Sequence, residues 1–352
     1  MDYKAKLEEL IETVIQENGS DLHIGSGRVP AIRVMGQLIF LVKKPVMTQE
    51  EIFGILEAVL GKERLEKFKE NQEADFSFEF KGEARMRGNA FFQKKEVCVA
   101  FRLIPKVRSL EELRLPPVLK DIAHSNQGFF LVVGPVGQGK STTLAAMIDS
   151  VNRDQARHIV TIEDPIEYVF VPDKSMIDQR EVGIDTKDFH SALKSAFRED
   201  MNIIMVGEMR NPETISTAVT AAETGHLVLS TLHTNNASQT IDRIIDSFPG
   251  YQQEQIRIEL SSSLLGIFSQ RLIPRQAGGL VPAYELLLNN KAIAHLIREK
   301  RTQEIDIAIE TGSESGMVDL NRSLSELVRS GEISADDAYR YSSNPKGLER
   351  MI

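Results

Sequence analysis

The chain has 352 residues, 41% of them hydrophobic, and carries a formal net charge of −9. The length gives a prior of two domains, and the acidic balance disfavours a dedicated nucleic-acid binder. A single cysteine excludes an internal disulfide or a cysteine zinc cage, and no apolar run reaches the length of a membrane span.

The amino-terminal stretch MDYKAKLEELIETVIQENGSDLHI is charged and amphipathic and does not read as a secretion signal, so a cytosolic, soluble chain is expected. Within residues 2–18, Leu7, Leu10, Ile11, Val14 and Ile15 recur at helical spacing, and Gly19 is placed to stop the helix. Short β-like runs follow at 21–24, 31–35 and 38–42, the last two separated by Gly36-Gln37. A second helix starts after Thr48, with Ile52, Ile55, Leu56 and Val59 on one face. Residues 74–80 alternate, with Phe76, Phe78 and Phe80 on one side of a strand. Gly82-Glu83 then turns the chain, and 84–92 and 97–104 read as further strands, with Cys98 as a buried strand thiol. Residues 1–104 are expected to form a small α+β domain.

Residues 105–117 hold three prolines and several charges and read as a linker. From 118 to 352 the texture changes. The runs 129–134, 158–163, 203–207 and 226–232 are short, apolar and β-branched, with helical stretches between them. Strands separated by helices imply parallel crossovers, hence an α/β domain with helices on both faces. One helix is well marked: Asn211 caps it, Pro212 takes its first position, Glu213 suits its positive end, and Gly225 stops it after Thr224. The tail from about Lys291 reads as helices, with Leu320, Leu324, Leu327 and Val328 on one face before Gly331.

The chemistry centres on GPVGQGKSTT, residues 134–143, which fits G-x-x-x-x-G-K-[ST]. It follows an apolar strand and opens a helix over 142–151, the context a phosphate loop requires. Gly134, Gly137 and Gly139 let the backbone fold around phosphates, and Thr142 completes the nucleotide-binding set. Lys140 places its charge against the β and γ phosphates of ATP, and Ser141 offers its hydroxyl to Mg²⁺. The run IIMVGE ends in Glu208, preceded by Gly207 where an aspartate is usual. Glu208 is the candidate to orient or deprotonate the attacking water, with Glu163 or Asp164, from TIEDPIE, in the Mg²⁺ shell through water. TGHLVLSTLHTNN supplies His226 and His233, the latter at a strand C-terminal end where ligands lie in such sheets. Arg85 and Arg87 alternate on one strand and Arg102 sits on the next, either as a solvated face or as arginines completing a neighbouring subunit's nucleotide site.

Taken together, GPVGQGKSTT, TIEDPIEYVF, IIMVGEMRNPETI and TAAETGHLVLSTLHTNNASQTIDRIID resemble the secretion ATPases of the type II/type IV pilus superfamily, over nearly the whole chain. In that family the four stretches are the Walker A motif, the Asp box, an atypical Walker B and the His box, and Gly207-Glu208 is the usual form of the third. A short amino-terminal unit with a PAS-like SDLHI…RVMG pattern, the absence of a four-cysteine segment, and AIAHLIRE at 292–299 resemble the superfamily's pilus retraction branch. AIAHLIRE departs from that branch's AIRNLIRE at Ala294 and His295, and Val136 and Gln138 stand where Thr and Ser are common in the phosphate loop.

The resemblance implies a PAS-like domain followed by a RecA-like P-loop ATPase domain with a helical tail. It implies a homohexamer at the inner face of the membrane that works on an inner-membrane platform protein, and on pilins indirectly. ATP and Mg²⁺ would lie between domains, Arg85, Arg87 and Arg102 would approach the nucleotide, and His226 would link the site to domain movement across a hinge at 105–117. The implied task is pilus retraction. Pilus assembly or type II secretion is the alternative, and a nucleic-acid translocase is a weaker one because the chain lacks a basic stripe.

Overall fold

Leu7, Leu10, Ile11 and Val14 are buried along one face of α1 (Tyr3–Gln16), whose first turn is capped by the Asp2 carboxylate accepting from the Ala5 N–H. The structure, a computed structural model, describes every residue except Met1, Met35, Gly82, Glu83, Pro105 and Arg210. The turn expected at Gly82-Glu83, the end of the strand expected over 31–35 and the first residue of the expected linker therefore lie outside the described residues. The chain divides into two compact units, Met1–Lys106 and Val107–Ile352.

In the first unit, α2 (Gln49–Asn71) opens on a capping box. The Thr48 hydroxyl accepts from the Glu51 N–H, and the Glu51 carboxylate accepts from the Thr48 N–H. Such a reciprocal pair satisfies two donors that a helix start leaves open. The six strands are β1 (Gly19–Gly25), β2 (Ala31–Val34), β3 (Gln37–Phe40), β4 (Glu73–Phe80), β5 (Ala84–Gln93) and β6 (Glu96–Ile104). They pair antiparallel in the order β3-β2-β1-β6-β5-β4. Alternation divides the sheet into two faces. One carries Leu22, Phe76, Met86 and Phe101 into a core with both helices. Across the other runs a row in register: Arg33, Asp21, Arg102, Arg87 and Ser77. Cys98 is a free, buried strand thiol.

The second unit is built on a seven-stranded sheet, order β13-β12-β7-β11-β10-β8-β9. Its strands are β7 (Gly128–Val133), β8 (His158–Glu163), β9 (Met176–Glu181), β10 (Ile203–Val206), β11 (Leu227–Leu232), β12 (Leu264–Pro274) and β13 (Leu280–Leu288). The central strands are parallel and wholly buried, as continuous apolar runs require when helices cover both faces. One face holds α3 (Val118–Ala123) and α4 (Lys140–Asp154). The other holds α5 (Phe189–Ala196), α6 (Pro212–Glu223), α7 (Ala237–Asp246), α8 (Gly250–Ser263), α9 (Lys291–Arg298) and α10 (Ile305–Thr311). A separate apolar cluster seats α11 (Leu320–Arg329), α12 (Ala335–Tyr341) and α13 (Pro345–Glu349) on the outer ends of β12 and β13.

Three strands differ from the sequence expectation. β9 is a polar edge strand, MIDQRE, without the apolar alternation that marks a strand. β12 leaves α8 with no turn residue between them, and Gly266, Ser269 and Gln270 break its apolar pattern. The four strands expected from the apolar runs, β7, β8, β10 and β11, are parallel, while β13, which the sequence reading did not single out, runs antiparallel to β12, so the sheet is mixed. Most of the expected linker also belongs to the second unit, since Leu110 and Leu115 are buried in the core that α3 and α4 share. Among the described residues no helix is long and apolar enough to cross a membrane.

Candidate active site

Val133 ends β7, and the chain passes directly into the loop that precedes α4. Two glycines show why this loop needs them. Gly134 has φ 149°, and a Cβ there would stand 2.5 Å from the Gln270 carbonyl oxygen. Gly139, with φ 77°, takes the left-handed conformation at the N-cap of α4, which L side chains adopt at a cost. The first turn of α4 therefore points its unpaired N–H groups and positive dipole end at the loop's concavity, the requirement for holding phosphate.

Lys140 is buried, and its ammonium donates to the Gly134 and Pro135 carbonyl oxygens at 3.0 and 2.9 Å. Burial pushes its pKa down, while the charges of Glu208 and Glu167 oppose that shift. Its third contact is His233 Nδ1, at 3.2 Å. An ammonium only donates, so Nδ1 accepts and the ring proton sits on Nε2. Nε2 in turn faces Glu208 Oε1 at 3.4 Å. Lys140, His233 and Glu208 thus form one chain of polar contacts across the C-terminal ends of β7, β11 and β10. A cavity of about 420 Å³ opens beside it, lined by Glu208, Met209, His233, Thr234, Arg243 and Asp246.

The acidic loop after β8 lies on the next strand over. Gly207 donates its N–H to the Ile162 carbonyl at 2.8 Å, and a Cβ at Gly207 would stand 3.5 Å from Glu163 Cα. Gly207, directly after β10, therefore lies against Glu163 on the adjacent strand. Glu163 is buried; Oε1 accepts from the Thr161 hydroxyl at 2.6 Å and from Gln179 Nε2 at 3.2 Å, and Oε2 from the Glu167 N–H at 3.3 Å. Burial raises its pKa, against the pull of those three donors. Asp164 is exposed at the start of the loop. β9 holds the loop from the far side: Gln179 bonds the Tyr168 carbonyl and the Phe170 N–H, and Glu181 accepts from the Ile166 N–H. Tyr168 returns to the phosphate loop, its hydroxyl 2.7 Å from that of Thr142.

Among the described residues no group of three or more His, Cys, Asp or Glu is gathered to hold a metal unaided. The donors present nevertheless fit Mg²⁺. That ion keeps several waters and takes phosphate oxygens with few protein ligands, for which the Ser141 hydroxyl and a carboxylate reached through water suffice. The full set of hydrogen bonds on Glu163 suits the second of these roles.

His226 is not brought to this group. It precedes β11 at the opposite end of the strand from His233, roughly 20 Å away at the rise of an extended chain. There its Nδ1 meets the Ala221 carbonyl at 3.1 Å and its ring stands edge-on to Phe197. Strand direction therefore sets His226 apart from Lys140, His233 and Glu208. In the first unit the three arginines do share one sheet face. Arg102 Nε donates to Asp21 Oδ1 at 2.9 Å, and Arg85 donates to the Ser77 hydroxyl at 2.7 Å. Asp21 is nearly buried; burial acts to raise its pKa, but hydrogen bonds from Ser20 and Arg102 outweigh it and hold the carboxyl low. Sequence reasoning missed Asp21, Tyr168, Gln179 and Gln270. For Gln270 a signal existed: an amide inside the apolar run LLGIFSQRLIP.

The chain matches the family model described as Type II/IV secretion system protein over residues 3–332. It is 44% identical to the type IV pilus retraction ATPase PilT of Pseudomonas aeruginosa over 97% of this chain and 99% of that one. It is 46% identical to a twitching motility protein of Neisseria gonorrhoeae over 91% of this chain and 86% of the relative. Among solved structures, the pilus retraction motor PilT with bound ADP superposes with a TM-score of 0.90 at 46% identity, covering 97% of this chain and 98% of that one.

Proposed function

The chain belongs to the type II/IV secretion system protein family, and from that premise we propose that it is an ATP-hydrolysing motor that powers retraction of type IV pili. The observation that carries this reading is the Lys140–His233–Glu208 chain at the mouth of the phosphate loop. Lys140 would exchange the loop carbonyls for the β and γ phosphates of ATP. Gly134, Gly137, Gly139 and Thr142 would frame those phosphates, with backbone N–H groups as donors. Ser141 would hold Mg²⁺ directly, and Glu163 or Asp164 through water. When bound, that ion would neutralise negative charge that develops on the phosphates. Glu208 would take the proton of the attacking water, and His233, with Nε2–H toward Glu208, would hold that carboxylate in place and report on the phosphate through Lys140. His226 has a positioning role at most, through α6 and Phe197.

We further assign the chain to a homohexamer in which Arg85, Arg87 and Arg102 reach nucleotide held by a neighbouring copy. Their common sheet face and the restraint of Arg102 by Asp21 support this. The antiparallel order of the first unit supports its PAS-like reading, and the second unit's sheet order its RecA-like one. The ring would act from the cytoplasmic side on a membrane platform protein and so move pilins indirectly, with residues near Lys106 as the hinge. Ala294 and His295, which depart from the retraction signature, lie on α9 away from its buried Ile293 and Ile297, so they leave the core unchanged.

The test is genetic and direct. Deleting the chain from a piliated cell is expected to leave surplus surface pili that do not retract. Bald cells would make assembly or secretion the task instead.

A further inference from the structure

We infer that Gln270 and Gln138 form a two-point latch, each side chain bonding main chain on the opposite side of the gap between β12 and the phosphate loop, that holds the loop in its nucleotide-binding shape and makes Gln270 a positioning residue for ATP. This rests on the reading of the loop as an ATP site. The reason lies in where β7 stops. Its parallel ladder with β12 ends at the pair Ser269 and Val133, while β12 continues to Pro274. Beyond that pair β12 has a free edge, and its polar groups on that side need partners. The phosphate loop supplies them. The Leu272 N–H donates to Gln138 Oε1 at 2.6 Å. Gln270 Nε2 donates to the Gln138 carbonyl at 2.7 Å, and Gln270 Oε1 accepts from the Thr143 hydroxyl at 2.6 Å.

Gln270 is only 3% exposed, so an unpaired amide there would carry a full desolvation cost. Its bonds reach the loop and the first turn of α4 at once. It also touches both outer glycines: its carbonyl oxygen lies 2.5 Å from a Cβ built on Gly134, and its Nε2 lies 3.0 Å from one built on Gly139. The loop is therefore held at Gln138, and the first turn of α4 at Thr143, by one buried side chain and one strand edge. The latch includes neither Lys140 nor Glu208, so it acts on binding and not on the chemical step. Gln138, where the family commonly has serine, is long enough to reach Leu272, and this chain's departure from the pattern thereby becomes half of the brace.

The experiment uses the full chain with Gln270→Met, Gln138→Met and both together, substitutions that keep length and remove hydrogen bonding. Dissociation of a fluorescent ADP, KM and kcat for ATP, and the thermal midpoint are measured. Each single variant is expected to weaken ADP and raise KM about tenfold, with kcat at saturating ATP within about twofold. The double variant is expected to be weaker than either single one, since each side chain makes its own bond to main chain across the gap. Thr143→Ser, which keeps the hydroxyl, is expected to bind as wild type does. Unchanged affinity in a folded Gln138→Met or Gln270→Met chain, or a double variant no weaker than wild type, would overturn the latch. Should Gln270→Met fail to fold, Gln138→Met on the loop decides alone. A wild-type chain that binds neither ATP nor ADP would instead remove the nucleotide-site reading itself.

Discussion

Glu208 sits where a carboxylate can work, half-exposed beside a cavity, with His233 Nε2 facing one of its oxygens. Glu208→Gln keeps the shape and removes the basicity. Hydrolysis measured as phosphate release is expected to fall by about 10² to 10⁴-fold while ADP binding stays. Normal turnover would mean that another group accepts the proton. Glu285 allows a test by pH. It is half-buried on β13 and its carboxyl is pushed up to about 7, chiefly by desolvation. The Ala237 N–H and Arg271 oppose that rise, and Asp306 and Asp319 add to it. An acid with a folded pKa above its unfolded value of 4.5 binds its proton more tightly in the native state. Its contribution is complete below the unfolded pKa and is lost as pH rises through about 7. Glu285→Gln is expected to flatten the fall of the thermal midpoint between about pH 5 and pH 8, a difference of up to roughly 3 kcal/mol. An unaltered slope would place the titration elsewhere.

At the scale of elements, β9 is the strand on which the acidic loop depends. Gln179 bonds Glu163, the Tyr168 carbonyl and the Phe170 N–H together. Gln179→Leu leaves those buried groups unsatisfied and is expected to cost about 1–3 kcal/mol of stability and to lower hydrolysis more than ADP affinity. Denaturant unfolding and steady-state kinetics check both, and loss of ADP binding alone would contradict the role given to the loop. Local signals were legible in the sequence. The phosphate loop, the Asn211 cap with Pro212 behind it and the alternation of Phe76, Phe78 and Phe80 each lie within a few residues, and the structure keeps all three. What was not legible depends on pairing across the chain. The polar strand β9 takes its identity from register with β8, and Gln270 meets Gln138 across more than a hundred residues. That Glu163 lies against Gly207 follows from the pairing of β8 with β10, which no local pattern gives.

For the whole molecule, each unit carries its own set of polar residues. The second gathers the phosphate loop, Glu163 and Glu208 on one sheet edge, and the first sets Arg85, Arg87 and Arg102 on one sheet face. In the proposed ring those arginines serve a neighbouring copy. Arg102→Ala together with Arg87→Ala is therefore expected to depress hydrolysis by tenfold or more while a mixture with Lys140→Ala chains regains part of it, because each defect then sits on a different subunit. A mixture no more active than its parts would exclude arginines acting between copies. The central claim is that hydrolysis at this site pulls pili in. The most direct measurement is the retraction of fluorescently labelled pili in cells whose only copy of the chain carries Glu208→Gln. Pili that extend and then stay out are expected; pili that retract at the wild-type speed would contradict it.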